Sequence, residues 1–475
     1  MLFNSFPFIF AFLPIALVGY HALGWIRGGA PIVWLALASV AFYAVGGWQF
    51  VPLLLASVLF NYAIGLLLIY RPWPAAVRAL LAAGIGCDLL VLFYFKYAGF
   101  FVANINAIFS TSLTVNVLLP VGISFYTFTQ IAFLVDAYRR DVLQCGLPSY
   151  ALFVTYFPHL IAGPIIHHRD VIPQLERAGS RRVDPHLILC GLIFFSIGLF
   201  KKTFLADGIQ PYVVLAFGPD VPSFYLAWIG ALAYTFQLYF DFSGYSDMAI
   251  GISLMFGVFL PLNFNSPYKS SSIIDFWRRW HITLSQFLRD YLYIPLGGNR
   301  RGRLLRYVNL MITMGFGGLW HGAAWTFFAW GVLHGIYLSI NHLWNALRPS
   351  TPLHACRLNV VAFALTFLSV VVAWVFFRAN DMASALTILS KMAKPSHTSL
   401  SYREMFAAAM IGAYSLLVWL GPNTQTIMGY DHRNRRVGEG LMSRYPRTLP
   451  CLAAGGLALA ILGIAQHSEF IYFRF

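Results

Sequence analysis

Residues 270–334 read SSSIIDFWRRWHITLSQFLRDYLYIPLGGNRRGRLLRYVNLMITMGFGGLWHGAAWTFFAWGVLH. This stretch holds the densest charge in an otherwise apolar chain. It also places two histidines, His281 and His321, where apolar side chains would be expected. Because burying an ionisable side chain costs free energy, these two positions are the first candidates for chemistry.

The first half of the stretch has the pattern of an amphipathic helix. Ser272 followed by Asp275 has the form of a capping box and predicts a helix start. Aromatic and apolar residues then recur at steps of three and four, which places them on one face. These residues are Trp277, Trp280, His281, Leu284, Leu288 and Tyr291. Such a helix suits a membrane–water interface. Taken alone, a histidine on this face is more often a hydrogen-bonded core residue than a functional one.

The second half of the stretch favours function. His321 lies in the glycine-rich segment GFGGLWHG, at the start of an apolar run, and glycines allow close backbone approach or a helix break. Ionisable residues at membrane depth are functional candidates. His334 follows thirteen residues later. In a regular helix this is a rotation of about 220°, so we expect His334 to point away from His321. We therefore pair His321 with His281 and treat His334 as structural.

Composition predicts a polytopic membrane protein. The chain has 475 residues, of which 59% are hydrophobic and 10% charged. Its net charge is +15, but the arginines cluster in short loops between apolar runs. The cytoplasmic-loop bias of membrane proteins explains them better than nucleic-acid binding does. The five cysteines are scattered, so we predict neither a disulfide framework nor a metal site.

The apolar runs predict an all-α fold with roughly 11–13 membrane helices, at about 20 residues per span. Residues 222–240 and 244–262 count as separate spans. Asp241 and Asp247 stand on either side of Gly244 near this junction. They would either orient a histidine or a substrate or be loop residues at a span end, and the second assignment is favoured. Residues 156–164 contain two prolines within an apolar run and predict a re-entrant or kinked segment beside a central tunnel. Loop charge places the N-terminus and the C-terminal tail on the outer side of the membrane.

Two long motifs carry a family resemblance. DFWRRWHITLSQFLRDYLYIPLGG and GGLWHGAAWTFFAWGVLHG resemble the paired signatures of membrane-bound O-acyltransferases. The bacterial branch with alginate O-acetyltransferase and teichoic-acid D-alanyl transfer proteins is the most similar. PVGISFYTFTQIAFLVDAYRRD, YFPHLIAGPI and YFDFSGYSDMAIG extend the resemblance. It is strongest over residues 120–335 and implies one acyltransferase domain over residues 1–475.

The resemblance implies roles for particular residues. His321 would be the catalytic base and His281 the second functional position. The expected tunnel-lining residues are Trp320, Trp325, Trp280 and Asp247, although packing or interface anchoring explains the tryptophans equally well. Arg300, Arg301 and Arg303 would attract an anionic donor such as acetyl-CoA or another acyl thioester. Positive-inside anchoring explains these arginines without a ligand. No permanently bound cofactor is expected.

The chain ends EFIYFRF, with Tyr472 among aromatic and apolar residues. This ending resembles the terminal peptide of a small partner protein in D-alanylation, where a tyrosine is thought to carry the acyl group. We therefore hypothesise that Tyr472 relays the acyl group after its hydroxyl is activated by His321. An interfacial aromatic belt is the alternative.

These features predict a membrane O-acyltransferase that moves an acyl group, expected to be acetyl, from a cytoplasmic thioester to a cell-surface or secreted polysaccharide. The resemblance implies a bacterial inner membrane as the location and a lipase-like extracytoplasmic acetyltransferase as the protein partner, beside membrane lipid. One alternative is D-alanyl transfer by the same fold. The other is a non-enzymatic glycan or lipid transporter, which would also have many spans and broken helices.

Overall fold

The computed structural model describes residues 1–24, 29–71, 74–178, 183–218, 220, 222–300, 302–347, 355–395, 399–464 and 470–471. Within these residues the secondary structure is helical, apart from an isolated bridge between Asp431 and Arg436. The predicted all-α class is therefore confirmed.

The helices are given in chain order. The first eleven are α1 Leu13–Leu23, α2 Ala30–Gly47, α3 Val51–Tyr70, α4 Val77–Leu92, α5 Ala98–Phe109, α6 Ile123–Arg139, α7 Leu147–Thr155, α8 Phe157–Leu160, α9 His168–Ala178, α10 Pro185–Phe200 and α11 Asp207–Ala216. The later helices are α12 Phe224–Met255, α13 Ile273–Arg279, α14 Ile282–Leu288, α15 Arg303–His321, α16 Trp325–Leu347, α17 Ala355–Arg378, α18 Met382–Ala393, α19 Tyr402–Leu420, α20 Thr424–Met428, α21 Leu441–Arg444 and α22 Thr448–Gly463. Short π-helical segments at Phe93–Tyr97, Lys201–Ala206 and Arg289–Tyr293 continue α4, α10 and α14.

Five stretches of described helix are long and apolar enough to cross a membrane. They are Ala30–Tyr70, Pro74–Phe109, Pro185–Ala216, Val360–Arg378 and Tyr402–Leu420. Proline stands at the starts of α2 and α3, where its missing N–H removes no helical hydrogen bond.

One predicted pair of spans is a single helix. The 32-residue α12 runs without interruption through residues 241–243, where a loop was expected. Asp241 and Asp247 are therefore helical, and both are buried. The loop interpretation is wrong because no proline stands here, and Gly244 is accommodated within the helix.

The chain divides into two compact units, which we describe separately. The first comprises Met1–Leu199, Tyr245–Pro261 and the described residues from Met428 onward. Its core includes stacked and edge-on phenylalanines, with Phe12 and Phe42 within 5.5 Å of the Phe157 ring centroid. The predicted interruption after α7 is confirmed: α8 is four residues long, and the non-helical backbone that follows it is buried.

The second unit comprises Phe200–Gly244 and Leu262–Ile427. Its α15 and α16 form an antiparallel hairpin with very close backbones. A Cβ on Gly318 would lie 2.2 Å from the carbonyl oxygen of Phe327, and one on Gly331 would lie 2.2 Å from that of Met314. Glycine at both positions lets the helices meet. α17 packs on this hairpin through stacked Trp330 and Trp374 rings, whose centroids are 5.5 Å apart.

Candidate active site

His281 lies at a sharp break between two short helices. Ser272 caps α13 as predicted, since its hydroxyl accepts a hydrogen bond from the Asp275 N–H at 3.1 Å. α13 ends at Arg279, and His281 adopts a left-handed φ of 40° before α14 begins. The prediction of one continuous amphipathic helix through residue 291 is therefore wrong. The break turns the imidazole into the protein, where it is completely buried.

A neighbouring segment holds this break in place. The Asn265 N–H donates to the Arg279 carbonyl, and the Ile282 N–H donates to the Asn263 carbonyl, both at 2.9 Å. A left-handed conformation in a residue other than glycine costs of the order of 1–3 kcal/mol, so surrounding bonds must maintain it. Neither glycine nor proline marks the break, and sequence periodicity therefore could not locate it.

His321 is the last residue of the 19-residue α15. The helix stops there because Gly322 is extended, with φ −167° and ψ 148°. The His321 side chain is buried among aromatic rings: its ring centroid lies 4.9 Å from that of Trp320 and 5.1 Å from those of Trp330 and Phe377. The close α15–α16 packing thus places the imidazole inside an aromatic shell.

The structure brings His281 and His321 together, as the sequence predicted. Their ring centroids are 6.3 Å apart. Trp320 contacts both, and Phe242 packs edge-on against His281 with centroids 4.8 Å apart. These contacts surround the two imidazoles with aromatic side chains, in an environment that excludes bulk water.

His334 lies next to the same buried aromatic side chains as His321. The expectation that it points away from His321 assumed one regular helix and is wrong, because the chain reverses after residue 321. Trp330 contacts both histidines, with centroids 5.1 Å from His321 and 4.9 Å from His334. The Trp277 indole N–H donates to Nδ1 of His334 at 3.3 Å. Because an indole can only donate, Nδ1 is unprotonated and the hydrogen of this neutral ring is on Nε2. We call His281, His321, His334, Trp320 and Trp330 the histidine cluster.

The remaining predicted tunnel residues lie in different settings. Trp280 is buried and packs against Trp374, with centroids 4.9 Å apart, behind the histidine cluster. Trp325 starts α16 with 54% of its surface exposed and meets Phe328. Asp247 is buried in the first unit. Trp320 is therefore the one of these four that contacts both predicted histidines in the described contacts.

Asp241 takes part in a buried ion pair. The Lys202 ammonium lies 2.8 Å from an Asp241 carboxylate oxygen and 2.9 Å from one of Asp207. Both partners of the shorter contact are almost fully buried. Paired charges of this kind are tolerated where single ones are not. This pair fixes α12 to the helical segment that follows α10.

A cleft of about 350 Å³ lies beside the histidine cluster. Its lining includes two arginines, Arg289 and Arg306. It also includes four apolar side chains, those of Leu288, Leu310, Met314 and Leu338. Its wall includes Trp277, which donates the hydrogen bond to His334 described above. We call this space the Arg289–Arg306 cleft.

Two of the predicted donor-binding arginines, Arg300 and Arg303, are exposed and do not line this cleft. Arg301 lies outside the described residues, as does Tyr472. Sequence reasoning missed Arg289 and Arg306 as a pair because they stand on different elements. It also missed Trp330, although this residue stands four positions before His334 and so on the same helical face.

The chain is similar in sequence to several known proteins. A family model for the membrane-bound O-acyltransferase family matches residues 89–386. A peptidoglycan O-acetyltransferase of Helicobacter pylori is 43% identical, over 86% of this chain and 83% of its own length. A probable alginate O-acetylase of Pseudomonas putida is 44% identical, over 82% and 80%.

A teichoic acid D-alanyltransferase of Bacillus subtilis is 28% identical, over 53% of this chain and 67% of its own length. The matched family residues include both histidine-bearing segments. Together with the apolar helices, these matches show that the chain is a multi-pass membrane protein and an enzyme belonging to the membrane-bound O-acyltransferase family.

Proposed function

We propose that this enzyme transfers an acetyl group from a cytoplasmic thioester donor, acetyl-CoA or another acyl thioester, toward a cell-surface or secreted polysaccharide. The observation that carries the proposal is the buried pair of imidazoles, with ring centroids 6.3 Å apart. The names of the relatives above support acetyl as the group and a polysaccharide as the acceptor.

The chemistry needs a proton acceptor and stabilisation of an oxyanion. His321 accepts the proton of the attacking hydroxyl as the hydroxyl oxygen bonds to the thioester carbonyl carbon. The carbon–sulfur bond then breaks, and the departing thiolate takes a proton from the imidazolium. His281 is positioned from a different element and stabilises the charge that develops on the carbonyl oxygen. No proton is left over, and no oxidant is required.

The Arg289–Arg306 cleft suits the donor. Guanidinium groups bind phosphate oxygens well, and acyl-CoA donors carry several. The apolar residues of the cleft lining suit the pantetheine and acyl portions of the donor. Trp277 links the cleft wall to His334 and so to the histidine cluster. We therefore assign donor binding to this cleft, in place of the exposed loop containing Arg300 and Arg303.

Tyr472 remains our proposed acyl relay. Phe470, two residues before it in the sequence, is buried against Tyr245 in the first unit, with centroids 4.9 Å apart. Replacing Tyr472 by Phe preserves an aromatic ring and removes the nucleophile. We expect this variant to lose polymer acetylation. Undiminished acetylation would refute the relay.

We also propose that residues 1–475 form one functional domain in a bacterial inner membrane, with the N-terminus and the C-terminal tail outside. An extracytoplasmic, lipase-like acetyltransferase would complete delivery to the polymer. Co-purification of such a protein with the tagged enzyme from solubilised membranes would test the partnership. Cysteine accessibility at the two termini would test the orientation.

The decisive experiment measures ester-linked acetate on the polymer in cells that produce His321→Ala. We expect a loss of about 10²–10⁴-fold, the usual contribution of a general base. His432→Ala is the matched control, because His432 lies outside the histidine cluster in the first unit. Membrane abundance and thermal unfolding of both variants establish that they insert and fold. Normal acetylation by well-folded His321→Ala would overturn the assignment.

D-alanyl transfer is the second candidate, favoured by the resemblance to the D-alanyltransferase. Membranes given radiolabelled acetyl and D-alanyl donors separately would distinguish the two groups. We expect label from acetyl alone to enter the polymer.

A further inference from the structure

A second cavity, of about 360 Å³, lies in the first unit and is not part of the proposed acyl-transfer site. It is bordered by the end of α9, the start of α10 and the loop between α20 and α21. Three arginines line it, Arg177, Arg435 and Arg436.

The cavity is cationic despite two carboxylates in its lining. Asp184 caps the start of α10, since its Oδ1 accepts hydrogen bonds from the backbone N–H groups of His186 at 3.0 Å and Leu187 at 3.4 Å. Glu439 lies 3.8 Å from Arg436, and both side chains are 65% exposed. Such a surface pair contributes little, so it leaves the guanidinium available to a stronger partner. An arginine guanidinium group can donate two parallel hydrogen bonds to two oxygens of one phosphate.

The loop carrying two of these arginines is held in a fixed turn. Asp431 and Arg436 exchange backbone hydrogen bonds of 2.9 and 3.0 Å. The Asp431 side chain accepts further bonds from the N–H groups of Arg433 and Asn434, at 2.9 and 3.2 Å. The cavity is therefore formed before any ligand arrives, which lowers the entropic cost of binding.

A further part of the lining is also held by hydrogen bonds. The side-chain amide of Gln174 accepts a hydrogen bond from the Phe259 N–H at 3.0 Å and donates to the Phe259 carbonyl at 3.1 Å. Phe259 in turn stacks on Tyr430 with centroids 5.9 Å apart. Gln174 and Phe259 thus form a fixed part of the cavity lining that includes an aromatic side chain.

The position of the cavity along the chain indicates what it binds. Leu187 of its lining belongs to the candidate membrane span Pro185–Ala216, so the cavity lies where this span begins. Leu189 and Leu192, two and five residues further along α10, are 40% and 43% exposed and offer an apolar surface on the same helix. A ligand that combines a phosphate with a hydrocarbon chain fits both features.

We propose that this cavity binds the headgroup phosphate of an anionic phospholipid, whose acyl chains lie along α10. Basic pockets at the ends of membrane helices bind anionic headgroups in this way. General electrostatic attraction between basic loops and an anionic membrane does not require a preformed cavity. Comparing arginines inside and outside the cavity distinguishes this attraction from binding in the cavity.

The test uses the purified full-length protein in detergent. Native mass spectrometry measures its dissociation constants for dioleoylphosphatidylglycerol and dioleoylphosphatidylcholine. The cavity triple variant is R177Q/R435Q/R436Q. The control is R433Q/R444Q/R447Q, which removes the same charge from exposed arginines of the same unit that do not line the cavity. We expect the cavity triple variant to bind the anionic lipid at least about tenfold more weakly, and the control to change by less than about twofold.

Three outcomes would overturn the proposal. The wild type would show no preference for the anionic lipid, both triple variants would weaken equally, or sodium pyrophosphate would bind in the cavity while the anionic lipid did not. The last result would assign the cavity to a soluble phosphate. If the cavity triple variant unfolds, the single variant R436K is used in its place. Lysine keeps the positive charge but cannot donate two parallel hydrogen bonds to a phosphate. R436K should then bind several-fold more weakly, and unchanged binding would count against the site.

Discussion

The two segments that carry the histidines of the proposed site place their imidazoles by different means. His281 stands at a left-handed break, held by backbone bonds to residues 263–265. His321 ends a 19-residue helix that is locked into a hairpin by close glycine contacts. The first position depends on a strained local conformation, and the second depends on packing between long helices. Substitutions should therefore affect the two segments differently.

The largest effect is expected at Gly318. A side chain there would meet the carbonyl of Phe327, so Gly318→Leu must separate α15 from α16. Overpacking of this kind should cost about 3 kcal/mol or more. Thermal unfolding and gel filtration of the detergent-solubilised protein would measure the loss. Gly412→Leu is the control, because a Cβ at Gly412 meets no atom within 4 Å. Equal stability of the two variants would contradict the packing account.

The next effect separates backbone strain from chemistry at His281. Asparagine tolerates the left-handed region, whereas a β-branched residue does not. His281→Asn should reduce polymer acetylation by about 10²-fold while leaving thermal unfolding nearly unchanged. His281→Val should lose the same activity and also about 1–2 kcal/mol of stability. Equal thermal stability of the two variants would show that backbone strain at residue 281 does not distinguish the two segments.

A smaller effect is expected in the cleft, whose arginines come one from each segment. Arg289→Gln and Arg306→Gln should each raise the KM for acetyl-CoA roughly tenfold, with kcat little changed, since each removes a charge-assisted hydrogen bond. Arg303→Gln is the matched control on an exposed position outside the cleft. Steady-state kinetics of the purified variants would measure KM and kcat separately. A fall in kcat with constant KM would place these arginines outside donor binding.

The smallest effect concerns the bond that joins the segments. Trp277→Phe keeps an aromatic ring and removes the N–H donated to His334. Losing one hydrogen bond should cost about 1 kcal/mol, equivalent to a roughly fivefold decrease in activity. Nitrogen chemical shifts of ¹⁵N-labelled histidine would show whether the tautomer of His334 becomes mixed. Trp344→Phe, at an exposed site on α16, should change neither quantity.

The sequence predicts what local pattern and composition encode. The all-α class, the cap at Ser272 and the pairing of His281 with His321 follow from periodicity, capping chemistry and motif resemblance. The break at residue 281 does not follow, because distant backbone groups impose it on residues with helical periodicity. The orientation of His334 fails for a related reason, since a chain reversal after residue 321 invalidates helical-wheel angles across it. The Arg289–Arg306 cleft requires tertiary structure.

The long helix α12 has a consequence for how the protein enters its membrane. Its 32 residues extend about 48 Å, well beyond the roughly 30 Å of a hydrocarbon core. It carries two buried aspartates and is not among the described helices apolar enough to span a bilayer. Such a segment partitions poorly into lipid alone, since a carboxylate at the helix centre opposes insertion. Membrane insertion should therefore proceed in two stages. The more apolar helices enter the lipid first, and α12 stays near the translocon until neighbouring helices of the protein shield its acidic side chains.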